Sequence, residues 1–425
     1  MEAAQQAAVA VGLTVVDLAI RGDFAAIEAR FGPRLRAALP PGGLRKAWES
    51  EIGMVGSRLR RGEPTVEPIG PGLLRVGVPL VGRHGGLTVL LGIDAEGALQ
   101  GLRLAGAGGE SSWVPPAYAD PARFEEREIV LDAGLGPVTG VLTLPRGAAP
   151  APGVVLLSGA GPFDRDGTAG PNKPLKDLAW GLASRGVASL RFDKVTSVHS
   201  DRVAATPGFT IADEYVPHAV AAVHTLQAAA GVDPARVFVL GHSAGGKVAP
   251  RVAAAEPAVA GLVLFAADAA PMNHAAVRVF RHIAALNPGL DAEAAIAELE
   301  REAARVDSPD LAPDTPGSQL PLGYSGAYWL DLRGYDPVAT LAALDVPALV
   351  LQGGRDYQVT VADDLARWRA GLDGRAGVSF SVHEKADHCF FVGEGPARPA
   401  DYAVPGHVDG AVVAEVADWI AAQRL

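Results

Sequence analysis

Cysteine is nearly absent from this chain of 425 residues, since Cys389 is its single copy. One cysteine excludes an internal disulfide framework and any metal site built from several thiolates. The chain also lacks a run of 18 uncharged apolar residues, so we expect neither a membrane span nor a membrane partner. Met1 to Ala10 carries no basic residue, and Asp17 interrupts the apolar stretch that follows, which argues against a targeting signal. These absences predict a soluble protein of a reducing compartment, the cytoplasm.

Positive charge is also in the minority. Lys and Arg number 37 against 48 Asp and Glu, which gives a formal net charge of −11. Because nucleic acid binds basic surfaces and the chain has no long basic stripe, we exclude a nucleic-acid partner. Hydrophobic residues make up 49% and charged residues 20% of the chain, which argues against wholesale disorder. At roughly 100–200 residues per domain, the length predicts two or three domains.

The first hundred residues predict helices followed by strands. Apolar residues recur at helical spacing along the first segment: Val9, Leu13, Val16 and Ile20. Further helices are indicated around 24–31 and 44–52. Strands are then predicted at 72–82, 86–94 and 98–104, with turns at 83–86 and 94–97. Helices before an antiparallel meander indicate a small α+β module, which we place at 1–110, followed by a linker at 111–124.

From about residue 125 the chain alternates between strands and helices. A hairpin is predicted from 127–132 and 138–144. Short continuous apolar strands follow at 153–158, 187–192, 237–240, 262–265, 348–352 and 378–382. Helices such as 176–185 and 216–230 lie between most of them, which predicts a mostly parallel sheet covered on both faces. The interval 266–346 is too long for one crossover, so its helical patterns at 274–286 and 291–305, separated at 287–289, predict a lid.

The most specific motif is Gly241-His242-Ser243-Ala244-Gly245-Gly246, which lies between a predicted strand and a predicted helix. Glycines flank the serine because side chains would clash where the backbone reverses sharply. Such a turn exposes the serine hydroxyl above the sheet, near the N-terminus of the next helix. A bare G-x-S-x-G is common by chance, but this context predicts that Ser243 is a nucleophile.

A serine nucleophile needs a histidine base and an acid that orients it. In this architecture both follow the serine, each just after a later strand. Asp356 follows the strand at 348–352, although an Asx-turn role would also suit it, and His388 follows the last strand. These spacings predict a triad of Ser243, His388 and Asp356.

Three neighbours compete for these roles. Asp268 follows the strand at 262–265 and is an alternative acid, and His383 lies five residues before His388. Cys389 is the third, but a lone cysteine between His and Phe more often packs as a small hydrophobe. The remaining histidines form no H-x-H or H-x-x-x-H pair, so we predict no metal site and no cofactor.

Acyl transfer also needs two N–H donors for the oxyanion. The backbone of Ala244, directly after the nucleophile, is the first candidate. The second comes from the loop Ser158-Gly159-Ala160-Gly161-Pro162, whose small residues let the backbone approach a substrate carbonyl. We assign this donor to Ala160, with a plain glycine-rich turn as the alternative interpretation of the loop.

Together these residues resemble the α/β-hydrolase superfamily over 125–425. That fold implies a mostly parallel eight-stranded sheet with a helical lid insertion, here at about 267–345, in an α/β protein. The segments 161–167, 170–174, 328–332 and 335–337 are similar to bacterial serine hydrolases of the dienelactone-hydrolase and acyl-transferase-type esterase subgroup. Residues 1–110 resemble the small cone-shaped NTF2-like module that precedes some members. The superfamily usually has His-Gly at the oxyanion loop, where this chain has Ser158-Gly159.

The resemblance implies hydrolysis of small carboxylic esters without a cofactor. It implies attack by Ser243, proton transfer by His388 oriented by Asp356, and oxyanion binding by Ala244 and Ala160. Candidate pocket residues are Gly159, Gly161, His242, Tyr328 and Trp329. The two aromatic residues are equally suited to anchoring the lid. The charged residues at 164–166 are expected to pin their loop rather than contact substrate.

Three other functions stay open at this point. An acyltransferase or thioesterase uses the same triad, and so does a peptidase or amidase, although no anchor for a substrate amine is evident. A non-catalytic scaffold, with residues 1–110 providing homodimer contacts, is the third alternative.

Overall fold

Two β-sheets organise the chain in the computed structural model. The structure describes residues 2–39, 43–45, 48, 59–70, 72–81, 86–106, 113–147, 150–286 and 292–423. Among these residues, a five-stranded sheet lies in the first quarter of the chain and an eight-stranded sheet lies in the rest.

The first sheet is entirely antiparallel. Fully described helices that precede it are α1 (Glu2–Ile20), α2 (Phe24–Glu28) and α3 (Pro33–Ala38). Its strands are β1 (Arg60–Arg61), β2 (Thr65–Gly70), β3 (Leu73–Val81), β4 (Gly86–Asp94) and β5 (Leu99–Gly106). They run in the order β1-β3-β4-β5, and β2 also pairs with β3.

The buried face of α1 differs from the predicted stripe. That stripe ended at Ile20, which is 41% exposed, whereas the small residues Ala8 and Ala19 are buried. The reason is a close approach to the sheet, because a Cβ at Gly12 would lie only 2.7 Å from Val76 Cγ1. The buried face therefore combines Val15 and Val16 with the small residues Ala8 and Ala19, and Val16 is the residue of the predicted stripe that is fully buried.

The other predictions for this region differ in their outcome. The strands predicted at 72–82, 86–94 and 98–104 correspond to β3, β4 and β5, and α2 begins where a second helix was predicted. The predicted turn at 83–86 and most of the predicted helix at 44–52 lie outside the described residues. Helix α3 and strands β1 and β2 were not predicted. Strand β2 is mostly exposed and contains Pro68, so it gives little alternation of polar and apolar residues.

The second sheet confirms the prediction of a mostly parallel eight-stranded sheet. Its strands are β6 (Phe124–Ala133), β7 (Gly136–Pro145), β8 (Ala151–Leu157), β9 (Ala188–Phe192), β10 (Val232–His242), β11 (Leu262–Phe265), β12 (Ala348–Gly353) and β13 (Val378–His383). The order is β13-β12-β11-β10-β8-β9-β7-β6. Strands β8 to β13 are parallel, and the predicted hairpin of β6 and β7 forms the antiparallel edge.

Helices connect the parallel strands. They are α4 (Pro174–Ala183), α5 (Val195–Val198), α6 (Ser200–Ala205), α7 (Ile211–Ala228), α8 (Ala244–Ala255), α9 (Met272–Ala285), α10 (Glu293–Asp307), α11 (Gly326–Gly334), α12 (Pro337–Ala343), α13 (Ala366–Leu372) and α14 (Gly410–Ala422). Within the described part of the chain, each helix is too short or too polar to cross a bilayer.

Helices cover both faces of the large sheet, and successive residues of each strand point to opposite faces. Val155 and Val239 pack into one hydrophobic core, which includes residues of α7 and α8. Their neighbours Val154 and Phe238 pack into a second core, which includes residues of α4 and α14. Both faces being apolar explains why these strands are continuous hydrophobic runs in the sequence.

The segment between β11 and β12 is the predicted helical insertion. Its helices α9 and α10 correspond to the predicted patterns at 274–286 and 291–305, and the predicted break at 287–289 lies outside the described residues. Helices α11 and α12 complete the segment and were not predicted as helices. The insertion begins just after the carboxyl end of β11, which is the edge of the sheet where Ser243 lies.

Candidate active site

Ser243 occupies a strained turn between β10 and α8. Its φ of 55° and ψ of −123° lie outside the regions that a serine ordinarily adopts, which costs about 1–3 kcal/mol. The Ser243 N–H donates to the carbonyl of Phe265 at the end of β11, at 3.0 Å. The neighbouring strand thus holds the turn, and Ser243 remains partly exposed to solvent.

The glycines around Ser243 are required by space. A Cβ on Gly241 would lie 2.2 Å from the Gly245 carbonyl oxygen, and one on Gly245 would lie 2.5 Å from that of Ser158. A Cβ on Gly246 would lie 2.5 Å from Ala267 Cβ. Each contact is too close for any side chain, so the G-x-S-x-G-G pattern follows from packing of the turn against β8 and β11.

Asp356 and His388 form a buried hydrogen-bonded pair. His388 Nδ1 lies 2.7 Å from Asp356 Oδ2, and the Asp356 side chain is fully buried. The other carboxylate oxygen accepts the backbone N–H groups of Gln358 and Val359 at 2.8 and 3.0 Å, and Gln352 Nε2 donates to Oδ2 at 3.2 Å. These donors fix the carboxylate, and the carboxylate in turn fixes the imidazole so that Nε2 is left for a reacting group.

The loop that carries His388 is organised by Asp387. Its Oδ1 accepts the backbone N–H groups of Cys389 at 2.9 Å and Phe391 at 3.0 Å. Phe390 lies between them with a φ of 59°. Burial raises the pKa of Asp387 to about 6, although the two N–H donors oppose this rise. The loop therefore holds a carboxyl group whose ionised form is disfavoured.

Burial and charge together decide the protonation of the two histidines near Ser243. Burial alone would lower the pKa of His388, but the charge and hydrogen bond of Asp356 outweigh burial and raise it. Burial and the nearby His388 lower the pKa of His242 to about 3, so His242 stays neutral near pH 7. His388 therefore has the stronger basicity of the two, and it is the one held by a carboxylate.

His242 supports His388 from the turn side. Its Nε2 donates to the His388 carbonyl at 2.9 Å, and the two ring centroids are 4.6 Å apart. Since His242 directly precedes Ser243, this contact joins the loop that carries His388 to the turn that carries Ser243. These contacts show that His242 helps to hold the loop of His388, and they do not test its predicted role in the pocket.

The loop after β8 lies against Ser243. A Cβ built on Gly159 would lie 3.2 Å from Ser243 Cβ and 3.6 Å from Ser243 Oγ. Among the hydrogen bonds of the described residues, none uses the Ala160 N–H. Ala244 is the first residue of α8, so its N–H has no acceptor within the helix. Among the described residues, the N–H groups of Ala160 and Ala244 thus have no hydrogen-bond partner, and their role toward an oxyanion stays a prediction.

The charged residues at 164–166 hold the same loop in place. Asp164 Oδ1 accepts the Thr168 N–H at 2.8 Å, and Asp166 contacts Lys173 Nζ at 2.8 Å and Arg191 Nε at 2.9 Å. Burial would raise the pKa of Asp166, but the positive charges of Arg191 and Lys173 outweigh it and lower the pKa. These contacts match the expectation that this cluster pins the loop.

Three residues that competed for catalytic roles have other contacts. Asp268 lies 3.3 Å from Lys247 Nζ and makes no hydrogen bond to His388 in the described structure. His383 ends β13 and contacts Glu415 at 2.9 Å. Burial raises the pKa of the Cys389 thiol well above its ordinary value, so the thiolate is disfavoured.

Tyr328 and Trp329 lie in the hydrophobic core. Their exposed fractions are 4% and 1%, and Tyr324 stacks on Tyr328 with ring centroids 4.3 Å apart. These contacts agree with the anchoring role that the sequence left open beside the predicted pocket role. Gly161, also a predicted pocket residue, has a φ of 108° and lies near Tyr324, whose hydroxyl accepts a hydrogen bond from its backbone.

The comparisons with known proteins agree with this geometry. Residues 154–403 match the alpha/beta hydrolase family, which is more than half of the chain. This chain belongs to the alpha/beta hydrolase family. It is 35% identical over 337 residues to Esterase EstD of Thermotoga maritima, a match that covers 79% of this chain and 77% of the relative. The chain is accordingly a hydrolase of the carboxylesterase type.

Two solved structures are similar to this alpha/beta hydrolase at lower identity. Est1E from Butyrivibrio proteoclasticus is 14% identical, with a TM-score of 0.46 over 70% of this chain and 99% of that one. The Pyrobaculum calidifontis esterase is 16% identical, with a TM-score of 0.45 over 70% of this chain and 84% of that one.

Two cavities of this alpha/beta hydrolase lie outside the nucleophile turn. One of about 440 Å³ lies between α9 and α10, and one of about 660 Å³ is lined mainly by residues 391–406 together with Arg355 and Asp387. Ser243 lines neither of them. In the described part of the chain, no group of three or more His, Cys, Asp or Glu side chains is placed to hold a metal ion.

Sequence reasoning missed a group of polar residues beside the oxyanion loop. Lys194, Glu214 and Tyr215 are all buried, and two of them contact the carbonyl of Gly159. Lys194 follows β9, and the other two belong to α7. Only the long-range packing of these elements brings the three side chains together, so no spacing or motif in the sequence predicts the group.

Proposed function

We propose that this alpha/beta hydrolase cleaves small or medium hydrophobic carboxylic esters, with Ser243 as nucleophile, His388 as general base and Asp356 as the orienting acid. The observation that carries this proposal is the buried 2.7 Å hydrogen bond between His388 and Asp356. It lies at the edge of the sheet where Ser243 is held in a strained turn. The esterase relative supports the choice of ester substrates.

The first half of the reaction forms an acyl-enzyme. Ser243 Oγ attacks the ester carbonyl carbon while His388 Nε2 takes its proton, and the carbonyl electron pair moves onto oxygen. The N–H groups of Ala244 and Ala160 donate to this oxyanion. When the tetrahedral intermediate collapses, His388 returns the proton to the leaving alcohol, and the acyl group stays on Ser243.

Water completes the reaction. His388 takes a proton from water, the resulting hydroxide attacks the acyl carbon, and a second oxyanion forms in the same place. Collapse of this intermediate returns the proton to Ser243 Oγ and releases the carboxylic acid. One ester and one water thus give one acid and one alcohol, and we propose that no cofactor takes part.

We also propose a finer family assignment and a domain division. Residues 1–110 form an NTF2-like module, 111–124 a linker, and 125–425 a catalytic domain of the dienelactone-hydrolase-like esterase subgroup with a lid at about 267–345. Support for the division is that residues 8–99 contribute a hydrophobic core of their own. The N-terminal module is proposed to mediate homodimer contacts in a cytoplasmic enzyme that binds neither nucleic acid nor membranes.

The proposal is tested by ester hydrolysis in the wild type and in Ser243→Ala. We expect p-nitrophenyl butyrate to be hydrolysed by the wild type with a burst of p-nitrophenol equal to the enzyme concentration. Ser243→Ala should lose the burst and nearly all turnover. A variant that keeps full turnover would contradict the assignment of the nucleophile.

A further inference from the structure

The peptide group between Gly159 and Ala160 is held from its carbonyl side. The Gly159 carbonyl oxygen accepts hydrogen bonds from Lys194 Nζ at 2.9 Å and from Tyr215 Oη at 2.7 Å. Lys194 and Tyr215 are each 3% exposed, so water does not compete for these bonds. Two buried donors on one carbonyl oxygen leave the peptide group little freedom to rotate.

Peptide geometry transfers this restraint to the Ala160 N–H. A peptide group is planar, and in the trans form its C=O and N–H point in opposite directions. No cis peptide bond occurs in the described chain. The Ala160 N–H therefore points away from Lys194 and Tyr215, and no hydrogen bond of the described residues uses it. Because Gly159 lies against Ser243, this free donor stands beside the nucleophile.

The ammonium group that holds the carbonyl is itself fully satisfied. A lysine has three N–H donors, and Lys194 Nζ contacts three acceptors: the Gly159 oxygen at 2.9 Å, Tyr215 Oη at 2.7 Å and Glu214 Oε1 at 2.7 Å. A positive charge on the carbonyl side also polarises the peptide group, which makes its N–H a stronger donor. Lys194 thus fixes both the direction and the strength of the Ala160 donor.

Glu214 connects this arrangement to the inserted helical segment. Its Oε1 also accepts the Thr196 hydroxyl at 3.0 Å, and its Oε2 accepts the Tyr328 hydroxyl at 2.5 Å. Tyr328 belongs to α11 in the insertion between β11 and β12. A buried chain of hydrogen bonds therefore runs from the insertion through Glu214 and Lys194 to the oxyanion loop.

We propose that Lys194 and Tyr215 are positioning residues that keep the Ala160 N–H directed at the oxyanion of the reaction. This inference rests on the proposed esterase function, because it needs an oxyanion beside Ser243. Lys194 and Tyr215 supply support for the loop from another part of the chain.

Two variants test the proposal. Tyr215→Phe removes one hydroxyl without changing the ring. Lys194→Met combined with Glu214→Gln removes the ammonium without leaving a buried carboxylate unpaired. Losing a whole oxyanion donor lowers kcat about 10²–10³-fold, so a misdirected donor should lower it about tenfold in the first variant and about a hundredfold in the second. KM should change less than about twofold, since the oxyanion forms only after attack.

The decisive readout is the Ki of an aliphatic trifluoromethyl ketone, which forms a serine-bound oxyanion. Ki should rise in each variant by the same factor by which kcat/KM falls. Tyr335→Phe is the matched control, because its hydroxyl also donates to a backbone carbonyl, that of Lys247 at 3.0 Å. The control should lower the melting temperature comparably to Tyr215→Phe while leaving kcat and Ki unchanged.

Each outcome separates this inference from the function on which it rests. Unchanged kcat and Ki in Tyr215→Phe would overturn it, as would a fall in kcat with an unchanged Ki. If the wild type hydrolyses no ester and does not bind the ketone, the proposed function fails and the inference fails with it. Tyr215→Phe keeps the test valid even where the double variant does not fold.

Discussion

Asp387 should destabilise the folded protein at neutral pH, and Asp387→Asn should relieve this cost. The carboxyl has a pKa of about 6 in the folded protein against an ordinary value of 3.8, a difference of about two units. Each unit is worth about 1.36 kcal/mol, so ionised Asp387 costs the folded state about 3 kcal/mol above pH 6. An asparagine keeps the Oδ1 that accepts the Cys389 and Phe391 N–H groups, without the buried charge.

The size of this stability difference depends on pH. Well below its ordinary pKa of 3.8, at about pH 3 and lower, Asp387 is protonated in both the folded and the unfolded chain, so it costs nothing. As pH rises from about 4 to 6, the unfolded carboxyl ionises first, and the wild type loses stability relative to the variant. The gain from Asp387→Asn should therefore be near zero at about pH 3, about 1 kcal/mol at pH 4.5, and about 2–3 kcal/mol at pH 8.

Urea unfolding followed by tryptophan fluorescence measures this difference. Wild type and Asp387→Asn are compared at pH 4.5 and pH 8, with Asp336→Asn as control. Asp336 is an exposed carboxylate that accepts the N–H groups of Val338 and Ala339 at the start of α12. Its variant should change the free energy of unfolding by only a few tenths of a kcal/mol at either pH. A gain for Asp387→Asn that does not depend on pH, or a loss at pH 8, would refute the reasoning.

Three further predictions concern catalysis. In the proposed mechanism the neutral form of His388 is the base, and its pKa is raised, so kcat/KM should fall as pH drops through a value above the ordinary histidine pKa. Asp387→Asn should move this fall to lower pH, because Asp387 helps to raise the pKa of His388. A pH dependence unchanged by the substitution would contradict this. Asp356→Asn should lower kcat about 10⁴-fold at pH 7 by allowing the wrong imidazole tautomer, whereas a loss below tenfold would assign the acid elsewhere. Gly245→Ala places a Cβ 2.5 Å from the Ser158 carbonyl oxygen, so it should lower the free energy of unfolding by about 1–3 kcal/mol and reduce ester turnover. Thermal unfolding and ester kinetics test both effects. An unchanged melting temperature and kcat would show that the turn has room for a side chain.

The strands of the large sheet could be predicted from sequence because the signal for each, a short apolar run, lies within the strand itself. A strand buried on both faces must be apolar at every position, and the predicted runs in the centre of the sheet became such strands, for example β8 and β12. The run 378–382 became the edge strand β13, which is only partly buried. The turn around Ser243 was recognisable for a similar reason. Its glycines are dictated by contacts of less than 3 Å, and these leave a fixed spacing in the sequence.

Features that depend on close packing or on long-range polar contacts could not be predicted. The large apolar residues predicted the buried face of α1 only in part: Val16 is fully buried, but Ile20 is 41% exposed, and Ala8 is buried because the helix approaches the sheet at Gly12. The contacts of Lys194 and Glu214 join α7 to the loops after β8 and β9. Such contacts have no periodicity, and only the folded arrangement brings them together.

Fluorophosphonate labelling with mass-spectrometric mapping tests the central claim most directly. A fluorophosphonate reacts with a serine only where a base removes its proton and N–H donors hold the developing oxyanion. The account predicts one phosphonylated residue in the folded wild type, Ser243, and no labelling in Ser243→Ala or after unfolding. Labelling at another serine, or none in folded protein, would contradict the claim that Ser243, His388 and Asp356 act together.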